Sequence, residues 1–240
     1  MKLSFRGRTA LILGGGSDMG LALTALLREE EVTVIPTHVS EAGREAVDRR
    51  FPELASPRLD LGERDFAGLA PILDAGVDYL VDLAQGDLEG LAATAGEEAE
   101  GYLEAHISGR LRLLRAVTRS MIPRRFGRLV FVSSTAAALP APGQAFYGAA
   151  KRAAEGLYQS LGLELGARGV TSVSLRLGLV DAGRGKRFLD EGARRQNLGG
   201  KVVTLEQAAS TLLFLLTDQA LALTCTTITM DAGLTAQKYL

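Results

Sequence analysis

Short apolar runs alternate with longer stretches of helical periodicity from one end of this chain to the other, and that alternation leaves few possible architectures. The runs fall at 8–13, 32–36, 77–83, 127–133, 170–176 and 226–230, with a weaker one near 56–59. Most are apolar on both faces, as parallel strands covered by helices on either side must be. Between them come helical stretches at about 18–30, 41–50, 63–74, 97–121, 145–167 and 204–217. In the last, Leu205, Ala208, Ala209, Leu212, Leu213 and Leu216 recur at helical spacing. The pattern predicts an α/β fold, a doubly wound parallel sheet of about seven strands with helices on both faces. No linker, repeat or composition shift divides the 240 residues, so a single domain spanning 1–240 is expected.

With 47% hydrophobic residues the chain can bury a large core. A formal net charge of −1 gives no electrostatic reason to expect a nucleic-acid partner. Neither a signal peptide nor a membrane-spanning run is visible. Cys225 is the only cysteine, which excludes an intrachain disulfide and a thiolate metal cluster. A cytoplasmic setting is therefore expected. The two histidines, His38 and His106, lie far apart without clustered carboxylates, so no metal site is expected.

Gly14, Gly15, Gly16 and Gly20 follow the first strand and open the first helix. Glycines at such a turn let backbone N–H groups approach a pyrophosphate, and the helix start adds partial positive charge. A glycine cluster also suits a purely structural turn; its place in an alternating chain favours the nucleotide reading and a Rossmann-like sheet. Asp18 reads two ways. It can cap the helix, or it can repel a phosphate by about 3 kcal/mol if the charges stand close.

Tyr147 and Lys151 are four residues apart in a helical stretch and share one face. An ammonium beside a phenol favours the phenolate and makes the phenol a better proton donor near neutrality. Chance alone supplies about 0.1 such pairs in a chain of this composition. Ser134 adds weight: it comes just after the strand at 127–133, thirteen residues before the tyrosine, where α/β sheets bind ligands.

This constellation resembles the short-chain dehydrogenase/reductase family, and within it the β-ketoacyl-acyl-carrier-protein reductases. The likeness extends over Asp60-Leu61, Gly127-Arg128-Leu129-Val130 and Asp231-Ala232-Gly233. It implies an NADPH-dependent reductase of a ketone, such as a 3-oxoacyl thioester on a carrier protein. An NAD-dependent secondary-alcohol dehydrogenase and a catalytically weakened binding subunit are the alternatives. By the same resemblance Tyr147 protonates the carbonyl oxygen, Ser134 hydrogen-bonds it, and Lys151 binds the nicotinamide ribose and tunes the tyrosine. Cofactor contacts are implied at Gly14, Gly16, Ser17, Asp18, Met19, Gly20, Thr37, Asp60, Leu61, Ala84, Lys151 and Gly178.

The chain departs from the family pattern at several points. Leu13 and Asp18 replace a threonine and a glycine in the loop. Asp82-Leu83-Ala84-Gln85 keeps only the alanine of the Asn-Asn-Ala-Gly segment, and Leu177-Gly178 replaces Pro-Gly. His106 takes the place of an asparagine that steadies a proton relay. A histidine there can donate and accept and would titrate near physiological pH, or it is a merely tolerated helix residue. Pro36-Thr37-His38 offers no carboxylate for a ribose 2′-hydroxyl, which favours NADP(H), with NAD(H) left open; Thr37 and Ser40 carry hydroxyls for a 2′-phosphate. Residues 183–202 occupy the place of the family's mobile substrate loop, and their composition equally suits a solvated surface. Arg125 and Arg168 stand where carrier-protein reductases meet their acidic carrier. The helices at 97–121 and 145–167 resemble the family's dimer-forming pair, implying a homodimer or homotetramer.

Overall fold

The computed structural model describes residues 2–86, 96–140, 142–190 and 201–237. Its elements, in chain order, are β1 (Thr9–Leu13), α1 (Asp18–Glu29), β2 (Thr33–Pro36), α2 (Glu41–Arg50), α3 (Ala70–Ala75), β3 (Tyr79–Asp82), α4 (Gly96–Leu103), α5 (Arg110–Met121), β4 (Gly127–Ser134), α6 (Ala145–Leu165), β5 (Val170–Leu177), α7 (Gly183–Asp190), α8 (Leu205–Leu216), β6 (Thr226–Met230) and α9 (Leu234–Gln237). A π-helical turn, Glu104–Gly109, joins α4 to α5 without a break.

The six strands are parallel, in the order β2-β1-β3-β4-β5-β6. The order in which strands are added therefore reverses between β1 and β3, the switch point beyond which ligands bind such sheets. Side chains of β1 alternate between the two layers. Ala10 and Ile12 join Leu23, Leu27, Leu212 and Leu216 under α1 and α8, whereas Leu11 and Leu13 join Leu113, Val117, Ala154 and Tyr158 under α5 and α6. Each fully buried leucine contributes about 1.5–3 kcal/mol, so both faces are firmly covered.

Three expectations need correction. The seventh strand, near 56–59, contributes only an isolated bridge between His38 and Arg58. Pro57 lacks an N–H group and cannot extend a ladder, leaving the bonds His38 N to Pro57 O and Leu59 N to His38 O. The helix expected over 63–74 begins only with a 3-10 turn at Ala67–Leu69 and continues as α3. Pro71 sits in the first turn of α3, the place where its missing donor costs nothing. Part of the expected loop 183–202 is helical, as α7, and 191–200 lie outside the described residues. Among the described residues no helix is long and apolar enough to cross a membrane.

Candidate active site

The C-terminal ends of β1, β3, β4 and β5 gather most of the residues singled out by sequence. Gly14 leaves β1 with φ of +71°, a left-handed conformation in which a side chain is strained. Ser17 caps α1, its Oγ accepting from Gly20 N at 3.1 Å and donating to Gly14 O at 2.7 Å. The capping reading of Asp18 is thereby overturned. Asp18 is the first helical residue, and its Oδ2 accepts from Gly183 N of α7 at 3.0 Å. The bond ties the carboxylate to the segment after β5.

The loop is built for close approach. A Cβ on Gly16 would lie 2.3 Å from Gly43 O, and one on Gly20 would lie 2.6 Å from Gly14 O. Among the described residues, the N–H groups of Gly16, Asp18 and Met19 have no acceptor. Three donors without acceptors at a helix start suit a phosphate group, so these residues fit a dinucleotide.

Ser134 ends β4 and caps the short turn that follows, accepting from Ala136 N at 3.2 Å. Helix α6 docks on that turn through Gly148, whose missing Cβ would stand 2.8 Å from Ala136 O. This close approach brings Tyr147 near the serine, whose hydroxyl acts to lower the phenol against burial. Tyr147 also donates to Gln85 Oε1 at 3.2 Å. Lys151, one turn further along α6, is 4% exposed and donates to Val132 O at 2.7 Å. Its Nζ lies 4.8 Å from the centre of the Phe131 ring and 5.7 Å from that of Tyr147.

Electrostatics departs from expectation at two positions. Burial raises the Tyr147 phenol, with the Ser134 bond opposing, whereas a neighbouring ammonium was expected to lower it. Lys151 directs its ammonium at a backbone carbonyl and is itself brought down to about 7, by burial and then by Arg110, against the pull of Asp82 and Glu155. His106 was expected to titrate near physiological pH. Burial, then the positive charges of Arg110 and Lys151, push it down to about 4, so the imidazole stays neutral there. Its ring lies tilted at 49° against that of Tyr102, ring centres 4.4 Å apart, in the π-helical turn.

Around this centre the other expected residues spread widely. Ala84 lies beside the pair, its N–H donating to Asp82 Oδ1 and its carbonyl accepting from Arg110. Gly178 follows β5 and donates to Met230 O at 3.0 Å. Thr37 is buried at the end of β2, and its carbonyl accepts from Gly15 N. Ser40 caps α2 by accepting from Gly43 N. Asp60 pairs with Arg58 and accepts from Gly62 N, and Leu61 is buried beside it. Arg125 and Arg168 are not brought here. They precede β4 and β5 at the opposite, N-terminal ends of the strands, where Arg125 donates to Ala167 O. Eight-residue strands put the two ends roughly 25 Å apart.

Sequence reasoning missed Arg110, which is buried and paired with Asp82. Both signals were present: an aspartate closing an apolar strand, and an arginine on the helix face that carries Leu113, Leu114 and Val117. Buried charges require partners, so each pointed to the other. Among the described residues no cluster of His, Cys, Asp and Glu could hold a metal ion.

Comparison with known proteins gives a consistent picture. A family model described as Enoyl-(Acyl carrier protein) reductase matches residues 16–235. The 3-oxoacyl-acyl-carrier-protein reductase of Escherichia coli is 28% identical, with the alignment covering 97% of this chain and 99% of that protein. The corresponding Pseudomonas aeruginosa reductase is 26% identical over the same shares. Among solved structures, a short chain dehydrogenase/reductase family protein matches with a TM-score of 0.85 at 27% identity, over 98% of this chain and 100% of that one. An oxidoreductase of that family from Burkholderia thailandensis matches with a TM-score of 0.84 at 27% identity, over 95% and 93%.

Proposed function

Because the chain belongs to the short-chain dehydrogenase/reductase family of oxidoreductases, we propose that it reduces a ketone with NADPH, the substrate being a 3-oxoacyl thioester on a carrier protein or a related small ketone. The observation that carries this reading is the meeting of Ser134, Tyr147 and Lys151 at the end of β4, next to a glycine loop with N–H donors that lack acceptors among the described residues. The nicotinamide supplies the hydride when bound. The chain's own part is to meet the charge that develops on the carbonyl oxygen. Tyr147 donates its proton to that oxygen and Ser134 donates a second hydrogen bond, both preorganised by the docking of α6. Lys151 binds the nicotinamide ribose. Neutral His106 both donates and accepts, as a proton relay requires.

NADP(H) is favoured over NAD(H) by the want of a carboxylate at the end of β2. Glu41, the nearest acid in sequence, is engaged by Arg44 one turn into α2. A carrier protein bound to Arg125 and Arg168 would sit at the far end of the strands from this chain's own Tyr147; the assembly we infer is a homodimer or homotetramer.

NADPH oxidation with an acetoacetyl thioester tests the reading. Tyr147→Phe is expected to lower the rate by about 10²–10⁴-fold with the fold intact. Equal rates would remove Tyr147 as the acid. The second reading, a binding subunit with weakened chemistry, is favoured by the hydrogen bond that the Tyr147 hydroxyl donates to Gln85. It predicts no turnover in the wild-type chain.

A further inference from the structure

Beneath the reactive face lies a charge pair that the reduction does not call for. Asp82 closes β3 and Arg110 opens α5; they are 0% and 1% exposed. Arg110 Nε donates to Asp82 Oδ2 at 2.7 Å, and the Tyr158 hydroxyl donates to the same oxygen at 3.0 Å. The remaining guanidinium nitrogens donate to the carbonyls of His106 at 2.5 Å and Ala84 at 2.8 Å. Such a pair is weak evidence for stability, because the cost of desolvating both ions offsets most of their attraction.

Its position suggests another role. Arg110 Cζ lies 5.3 Å from the centre of the Phe131 ring, and Lys151 Nζ lies 4.8 Å from the same centre. Two cations thus share one ring in a medium that screens poorly. The groups facing Lys151 come from several elements: Arg110 on α5, Asp82 on β3, His106 on the π-helical turn, and Tyr147 and Glu155 on α6. Glu155 is itself held by two hydrogen bonds from Arg176 of β5.

We propose that Arg110 is a positioning residue: anchored by Asp82, it holds a fixed positive charge against Lys151 and fastens the end of β3 to the turn carrying His106. It thereby sets the pH range in which Lys151 keeps its proton. Arg110 is the largest influence on Lys151 after burial itself, exceeding the opposite pull of Asp82. The effect on catalysis rests on the reductase reading; the charge state of Lys151 does not.

The test is the ¹³Cε titration of Lys151 by NMR in the full chain. The chain has only five lysines, and Lys151→Arg identifies the resonance. The wild-type midpoint is expected near 7. Arg110→Met is expected to raise it by about one pH unit, and Asp82→Asn to lower it. Because Arg110→Met leaves a buried carboxylate unpaired, the double variant Asp82→Asn/Arg110→Met removes both charges and is also expected to raise the midpoint. A midpoint near that of an ordinary lysine in the wild type, or one that stays in place in the folded double variant, overturns the proposal. The titration uses neither cofactor nor substrate. Failure of the reductase reading is seen separately, as the loss of any Tyr147-dependent turnover.

Discussion

Acidification should weaken this chain through His106, and the size of the effect follows from where the imidazole sits. It is packed on Tyr102, and burial first, then the cations of Arg110 and Lys151, bring it from 6.5 down to about 4. The unfolded chain takes up a proton as pH falls through about 6.5, whereas the folded chain refuses it until about 4. Stability is therefore lost as pH falls across that window and is fully present above it. From about pH 7.5 to about pH 5 the loss attributable to this residue is about 2 kcal/mol, a sizeable share of a marginally stable fold. Urea denaturation of the wild type and of His106→Asn, measured at intervals through the window, isolates the term. Asparagine keeps a donor and an acceptor but cannot titrate, and every other acid-sensitive group cancels in the difference. The stability of the wild type relative to the variant should decline steadily with acidification. A difference that is flat from about pH 7.5 to about pH 5 refutes the reasoning.

Two further outcomes are expected. Gly148→Ala pushes a methyl group toward Ala136 O and should cost about 1–3 kcal/mol together with much of the activity, by moving Tyr147 off Ser134; Gly156→Ala on the same helix, with nothing within 4 Å, should cost neither, as thermal melts and turnover will show. The double variant Arg125→Glu/Arg168→Glu should raise KM for a carrier-bound thioester about tenfold or more while leaving a small soluble thioester unaffected; equal effects on both substrates would dismiss carrier docking at that end.

The strands at 127–134 and 170–177 and the helix at 145–165 were legible because their apolar periodicity is uninterrupted. The strand near 56–59 was not, because one proline decides whether a ladder forms, and an apolar pattern does not register a missing donor. Tyr147 and Lys151 share a helical turn, and Ser134 stands at a strand end, so spacing suggested the set and the family resemblance supplied its roles. The charge states around them were hidden. They depend on Arg110 and Asp82, which are 28 positions apart in sequence and meet only when the sheet closes. Asp82, read by itself, was a lost asparagine; in the fold it is half of a buried ion pair with Arg110.

The π-helical turn at Glu104–Gly109 carries a geometric consequence. Each of its rings encloses one more residue than an α-helical ring, so α5 is rotated by about 100° from where α4 would have sent it. The surplus residue is what lets His106 lie against Gly86 while Leu113, Leu114 and Val117 still face the sheet. Excising one residue from this turn would preserve hydrophobicity and helix propensity almost unchanged. It would nonetheless swing Arg110 out of the interior and leave Asp82 stranded, a defect of phase rather than of composition.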